Sequence, residues 1–230
     1  MKTQKILLAF FLLATVLVSC KRDEYFIGGS LHTAKVNMTT YDYLKSNSSG
    51  LFDTLILLID KAGIKDKINQ SNMTFFAPTD YAIGNYLNER AKQEQNIDPF
   101  RKWSIDSMIL HELPMFADSI DVYLVKGATG YNTLTEKGAI FETAHPGTQA
   151  VVSYEETREP ALGYNSSVST IPRIVYYTLL REPLTPPFVA ADLTEEQGYR
   201  QRVQTSGIET TNGMIQVLVN QHTLFFKDKD

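Results

Sequence analysis

Apolar residues recur at helical spacing early in the chain. Leu55, Leu58, Ile59 and Ala62 fall on one face of a helix over residues 51–62. Gly63 follows, and glycine at this position commonly ends a helix. The pattern therefore predicts a helix with one buried face.

A short apolar and aromatic run at residues 73–77 ends at Pro78 and predicts a buried strand. Thr79-Asp80 then offers an N-cap for a helix that reaches about Arg90. The polar segment 91–99 is predicted to separate this helix from a second one over residues 100–111.

Later in the chain the apolar pattern has a period of two, which is typical of half-buried strands. Strands are predicted over residues 120–125, 139–143, 150–154 and 173–180. Because helices come first and strands later, an α+β fold is favoured over alternating βαβ units.

Asn212-Gly213 separates two further strand-like runs, residues 208–211 and 214–219. This dipeptide tolerates positive φ at both central positions of a two-residue turn, so a β-hairpin is predicted. Its second strand is apolar on both faces over part of its length, which indicates burial on both sides.

The first residues have the layout of a secretory signal. Lys2 and Lys5 precede an apolar run over residues 6–18, and Leu17-Val18-Ser19-Cys20 resembles a lipobox. The run is shorter than the about 20 residues of a spanning helix. We expect residues 1–19 to be removed and Cys20 to carry membrane lipid; the alternative is a plain signal peptide with an incidental cysteine.

Residues 20–38 are predicted to form a tether. The run Lys21-Arg22-Asp23-Glu24-Tyr25 resembles the acidic export signal that follows the lipidated cysteine in surface lipoproteins of the Bacteroidetes. An ordinary solvated linker is the alternative. The expected location is the outer membrane, with the domain exposed at the cell surface.

Charge and cysteine content narrow the functional classes. The net charge of −4 becomes −6 once residues 1–19 are removed, and no basic stripe is present, which disfavours nucleic acid as a partner. Cys20 is the only cysteine, so the fold can form no internal disulfide.

Two blocks of sequence resemble the paired signatures of the fasciclin (FAS1) family. TFFAPTDYAI at residues 74–83 is similar to T-V-F-A-P-T-D-x-A-F, and TNGMIQVL at residues 211–218 is similar to T-N-G-x-I-H-V-I. Between them HELP at residues 111–114 matches H-x-L-P. The residues that carry the resemblance are Phe76, Ala77, Pro78, Thr79, Asp80, His111, Pro114, Asn212 and Gly213.

The resemblance implies a FAS1-like sheet, wedge or sandwich in form, with several helices packed on it over residues 39–230. A long insertion is expected at about 155–205, before the last hairpin, and a shorter one near 91–99. Met115, Gln216 and Val219 depart from the family pattern. The family is associated with adhesion.

No catalytic motif is evident. The chain has scattered histidines and lacks HExxH and G-x-S-x-G, so we expect no enzyme, no cofactor and no catalytic residues. His111-Glu112 is a poor acid/base pair because neighbours on a helix point apart. The carboxylates of Asp118, Asp121, Glu155 and Glu156 favour a solvated face over a metal site.

The predicted insertion is rich in aromatic residues and proline, and such loops can stack on sugar rings or on a protein. Core packing is the alternative for each ring. Since Tyr176 and Tyr177 are adjacent in a strand, only one can face the core. The candidate ligand or partner surface comprises Tyr164, Tyr176, Tyr177, Phe188 and Tyr199.

The leading hypothesis is a non-enzymatic binding or adhesion module that holds a protein or a glycan. A narrower version of this hypothesis names the partner as an outer-membrane nutrient-uptake complex that contains a TonB-dependent transporter. This version rests on analogy alone. A glycan-active hydrolase with paired carboxylates and a structural envelope scaffold are the alternatives.

Overall fold

The computed structural model describes residues 34–127, 129–130, 132–167 and 169–226. The predicted signal peptide, Cys20 and most of the predicted tether lie outside the described residues. The α-helices are α1 (Thr40–Lys45), α2 (Asp53–Ala62), α3 (Lys65–Ile68), α4 (Asp80–Ile97), α5 (Ile105–His111) and α6 (Leu113–Ser119). The helices therefore precede most of the strands, and the α+β prediction is confirmed.

Eight strands form one mixed sheet in the order β3-β2-β8-β7-β6-β5-β4, with β1 also paired to β7. The pairs β2/β8 and β1/β7 are parallel and the others are antiparallel. The strands are β1 (Ala34–Lys35), β2 (Met73–Ala77), β3 (Leu124–Lys126), β4 (Ala139–Glu142), β5 (Gln149–Glu156), β6 (Arg173–Leu180), β7 (Gly198–Glu209) and β8 (Gly213–Leu218).

The sheet nearly closes on itself, because a single bridge between Val125 and Thr143 joins the β3 edge to the end of β4. One large hydrophobic core includes Leu58 of α2, Phe116 of α6 and Tyr177 of β6. A core shared by helices and strands makes residues 34–226 one folding unit.

The paired signature blocks lie side by side as neighbouring strands. β2 runs parallel to β8, with Met73 opposite Gly213 and Ala77 opposite Val217. β2 is buried along its whole length, as predicted. Both blocks therefore belong to the same compact body.

Two local predictions for the helical half are wrong. The segment 91–99 was predicted to interrupt the helices, but α4 continues to Ile97. The run 120–125 was predicted as a strand, but Ile120–Tyr123 is a 3₁₀ helix and the strand begins only at Leu124. Residues 91–97 are mostly exposed and rich in Ala, Lys, Gln and Glu, which favour helix, so α4 continues by local preference. Ile120 and Tyr123 are buried in the core, where tertiary packing overrides the strand preference.

Residues 155–205 are not peripheral to the fold. They supply all of β6 and the first half of β7, which lie in the middle of the sheet. The predicted tether also reaches the sheet: β1 pairs with Ile208 and Glu209, and the Val36 N–H donates to the Glu209 carbonyl at 2.8 Å.

The final hairpin is present, but its turn differs from the prediction. The Thr210 N–H donates to the Gly213 carbonyl at 2.9 Å, which puts Thr211 and Asn212 at the turn centre. Neither Asn212 nor Gly213 has positive φ. Gly213 is needed for another reason: a Cβ there would overlap the Met73 carbonyl oxygen.

Candidate functional site

The two adjacent tyrosines of β6 face opposite sides of the sheet. Tyr177 is fully buried, lies 4.3 Å from Phe76 between ring centroids, and donates its hydroxyl to the Val122 carbonyl. Burial holds the pKa of Tyr177 well above its ordinary value. Tyr176 is half-buried on the outer face. The opposed orientation is as predicted, but Tyr177 as part of a ligand surface is wrong because its ring is inaccessible.

The outer face of β5, β6 and β7 carries what we call the Tyr–Arg cluster, formed by Glu155, Tyr176, Thr178, Arg200 and Arg202. Tyr176 pairs with Arg202 across the strands, and Thr178 pairs with Arg200. The Arg200 guanidinium carbon lies 3.9 Å from the centroid of the Tyr176 ring. Alternation along the strands puts all five side chains on the same face.

One carboxylate in the cluster faces two guanidinium groups. Arg200 Nη2 donates to Glu155 Oε1 in an ion pair. Arg202 is half-buried and pairs with no carboxylate among the described residues. Burial is the main cause that raises the pKa of Tyr176; Glu155 and Glu159 add to the rise, and the two arginines oppose it. Two guanidinium groups therefore lie near an aromatic ring, and only Arg200 is held in an ion pair within the cluster.

Two buried polar atoms in the cluster make no hydrogen bond, the hydroxyl oxygen Oγ1 of Thr178 and Nε of Arg200. Thr178 is 1% exposed. A buried donor without a partner destabilises the folded state by about 1–3 kcal/mol. Both atoms are closed off from solvent, so a ligand could reach them only if the side chains around them moved.

A smaller apolar cluster borders these residues on the outer face. Val151, Leu180 and Ala190 are buried there, and Leu184 and Phe188 pack against them. Val151 is the strand partner of Thr178, so the apolar and polar parts adjoin. The outer face thus combines an apolar wall with cationic donors.

The five predicted aromatic residues do not form one surface. Tyr199 lies on the core side, 6.1 Å from Phe226 between ring centroids, with Arg181 4.0 Å from its ring centroid. Tyr164 is half-buried in the loop before β6. Only Tyr176 and Phe188 lie on the outer face.

Most residues of the resemblance have structural roles. Phe76, Ala77 and Thr79 are fully buried, and the Thr79 hydroxyl donates to Asn220 Oδ1 at 3.1 Å rather than capping α4. The Asp80 carboxylate instead accepts the N–H groups of Thr54 and Leu55, at 2.8 and 3.0 Å, at the start of α2.

The later residues of the resemblance divide between the surface and the core. Pro114 lies in the first turn of α6. Asn212 Oδ1 accepts the Thr40 N–H at 2.8 Å, which attaches α1 to the hairpin. His111 is exposed, and the histidine that is buried among the described residues is His222.

The described residues form neither the His111-Glu112 acid/base pair nor a metal site. The Glu112 carboxylate accepts hydrogen bonds from the Tyr86 hydroxyl and from Arg90, at 2.8 and 2.9 Å, and both of its oxygens are therefore engaged by side chains other than His111. Among the described residues, no three His, Cys, Asp or Glu side chains form a group able to hold a metal ion. None of the helices described is both long and apolar enough to cross a bilayer.

Sequence reasoning missed Thr178, Arg200 and Arg202. Their signal was the period-two spacing of Tyr176 with Thr178 and of Arg200 with Arg202, which places each pair on one face of a strand. The strand pairing that joins the two pairs has no sequence signal.

No protein-family model and no curated protein matches the chain. Among solved structures the chain is similar to a FAS1 domain pair from the insect cell adhesion molecule fasciclin I, at a TM-score of 0.43 and 14% sequence identity. The match covers 78% of this chain and 47% of that one, so the chain spans about half the length of that structure.

Proposed function

We propose that this protein is a non-enzymatic binding module of the bacterial cell envelope, anchored in the outer membrane by lipid on Cys20, whose Tyr–Arg cluster holds a glycan bearing carboxylate groups. The observation that carries the ligand assignment is the half-buried Arg202, which pairs with no carboxylate among the described residues, across the strands from the half-buried ring of Tyr176.

The chemistry of the cluster fits an acidic sugar. Planar guanidinium groups bind carboxylates through two parallel hydrogen bonds, and Arg202 has no carboxylate partner within the described structure. An aromatic ring beside these donors can stack on the apolar face of a sugar ring. A carboxylate-bearing glycan supplies both contacts.

Binding rather than hydrolysis is favoured by the state of the carboxylate. Glu155 is engaged by Arg200, so it is not free to act as an acid or a base. A retaining or inverting hydrolase uses two carboxyl groups, one on each side of the scissile bond. Glu155 is the one carboxylate among the five residues of the cluster, and Glu159, the other carboxylate that acts on Tyr176, is exposed in the loop after β5.

Calorimetric titration with a uronic acid oligosaccharide tests the ligand class. We expect Arg200→Gln/Arg202→Gln to weaken binding at least tenfold, and a neutral oligosaccharide of equal length to bind no better than the variant. Arg173→Gln is the matched control, because Arg173 also stacks on a tyrosine, Tyr154, at 4.6 Å and pairs with Glu156. Equal loss of affinity in the control, or equal affinity for the neutral sugar, contradicts the assignment.

Mass spectrometry of the protein purified from native membranes tests the anchor separately. We expect a mature chain that begins at Cys20 and carries acyl chains, each buried CH₂ of which contributes about 0.8 kcal/mol to membrane binding. Cys20→Ser should yield no acylated species. Protease treatment of intact cells tests surface exposure, and protection of the domain there contradicts it.

A further inference from the structure

A second exposed feature lies at the turn between α4 and α5. We call residues 97–102 the tip loop. Phe100 is 90% exposed and Ile97 is 69% exposed, the first and third most exposed of the large hydrophobic residues in the described structure. Apolar side chains exposed together mark interaction sites more often than single ones do.

The tip loop is held in place from its inner side. The Asp98 carboxylate accepts the Phe100 N–H at 3.0 Å, and the Asp98 carbonyl accepts the Arg101 N–H at 2.9 Å. Arg101 also pairs with Glu94 of α4 at 3.0 Å. These contacts fix the loop with its polar groups paired and Phe100 in solvent, so its exposure is a property of the fold.

Within the tip loop Arg101 and Lys102 outnumber Asp98, and Glu94 of α4 offsets the charge of Arg101. Lys102 is exposed and pairs with no carboxylate in the described part of the chain, and Arg101 remains 51% exposed at its side chain. Asp98 is the one acid in the loop, whereas the whole chain has a net charge of −4. A locally basic, aromatic tip on an acidic protein is complementary to an anionic surface with an apolar interior.

We propose that the tip loop inserts Ile97 and Phe100 into the interface of an anionic lipid bilayer and so fixes how the domain is oriented on the membrane. Aromatic, aliphatic and basic residues in one short segment are the types found at lipid interfaces. Arg101 and Lys102 would lie at the headgroup level, where long basic side chains keep their charge in water.

The orienting role rests on the proposed anchor, whereas vesicle binding by the loop does not. Residues 20–33 separate Cys20 from β1, and 14 extended residues reach at most about 50 Å. Lipid on Cys20 does not by itself specify which face of the domain meets the bilayer. The tip loop would select one face of the domain.

Trp103 provides a direct reporter because it is the only tryptophan in the chain and lies three residues from Phe100. It is half-buried, with the Arg90 guanidinium 4.3 Å from its ring centroid. Insertion of the loop should shift Trp103 emission to shorter wavelength and expose it to quenching by brominated lipid.

The test uses residues 20–230 carrying Cys20→Ser, so that neither signal peptide nor lipid contributes. Sedimentation with vesicles of phosphatidylglycerol and phosphatidylcholine should carry the protein down, and Ile97→Ser/Phe100→Ser should reduce the apparent affinity at least tenfold. Lys102→Glu should weaken binding to these vesicles and leave binding to pure phosphatidylcholine unchanged.

Tyr81→Ser is the matched control, since Tyr81 is 62% exposed on the same helix. It lies 16 residues before Ile97, about 24 Å along α4. Binding should stay within twofold of the unsubstituted protein. The proposal is overturned if the protein does not bind anionic vesicles, or if the double variant binds them equally well. Neither outcome depends on acylation of Cys20, because the tested protein lacks that cysteine.

Discussion

Met73 and Gly213 lie opposite each other across the parallel strands β2 and β8, and the Met73 carbonyl oxygen occupies the space that a Cβ on Gly213 would need. The clash is with backbone, which cannot rotate away. The glycine of the late signature block is therefore required by close approach of two strands. This contact ties the two blocks of the resemblance together.

Gly213→Ala should lower the free energy of unfolding by about 1–3 kcal/mol, the usual range for overpacking a core. Urea unfolding followed by circular dichroism measures the change. Gly84→Ala is the matched control: a Cβ there meets nothing within 4 Å, and alanine in place of a helical glycine stabilises by up to about 1 kcal/mol. Equal effects in the two variants would show that the β2/β8 approach is not this close.

Asp80→Ala should destabilise the fold by about 0.5–2 kcal/mol, because the carboxylate satisfies two N–H groups at the start of α2. Thermal unfolding measures the loss. Asp192→Ala, at an exposed carboxylate, should shift the midpoint little. A midpoint for Asp80→Ala that matches the unsubstituted protein would rule out the capping role.

Tyr177→Ala should destabilise by about 3–5 kcal/mol, the range for removal of a large buried aromatic ring, since Tyr177 is fully buried. The adjacent Tyr176→Ala should change the free energy of unfolding by about 1 kcal/mol or less. Denaturant titration of both variants checks this. Similar losses at the two positions would mean that β6 does not separate core from outer face as described.

His222 should make stability depend on pH. It is 1% exposed, and the cost of desolvating the charged imidazole lowers its pKa to about 3. The Tyr123 hydroxyl accepts the Phe225 N–H at 2.8 Å and shares a hydrogen bond with His222 Nε2, also at 2.8 Å, whose direction depends on the imidazole tautomer. The buried Nδ1 of His222 has no hydrogen-bond partner among the described residues.

Because the folded pKa of His222 lies below the unfolded value of 6.5, its contribution is fully present above pH 6.5. It is lost as the pH falls from 6.5 towards 3, by about 1.4 kcal/mol per pH unit. His222→Gln should cost stability at pH 7.5, and its deficit should shrink by roughly 2 kcal/mol at pH 5. Urea titrations at both values check this.

Ile208→Val is the control for the pH experiment, because Ile208 is a buried residue without a titratable group. Its difference from the unsubstituted protein should be the same at pH 7.5 and 5. If the His222→Gln and unsubstituted curves run parallel over that range, His222 binds its proton equally in the folded and unfolded states and the assignment fails.

The sequence by itself determined the local elements that have strong one-dimensional signals. The apolar spacing and Gly63 define α2, whose C-cap glycine adopts the left-handed conformation. The short apolar run before Pro78 defines β2, and the alternating run at 173–180 defines β6. Each signal depends on residues close together in the chain, so no tertiary information is needed.

Tertiary structure decided what depends on contacts between distant residues. It assigned Asp80 to the start of α2, made a 3₁₀ helix of Ile120–Tyr123, and paired Thr178 with Arg200 to form the Tyr–Arg cluster. It also gave Gly213 its role. A period in the sequence fixes which side of a strand a residue occupies, but the neighbouring strand and its register are set by packing of the whole core.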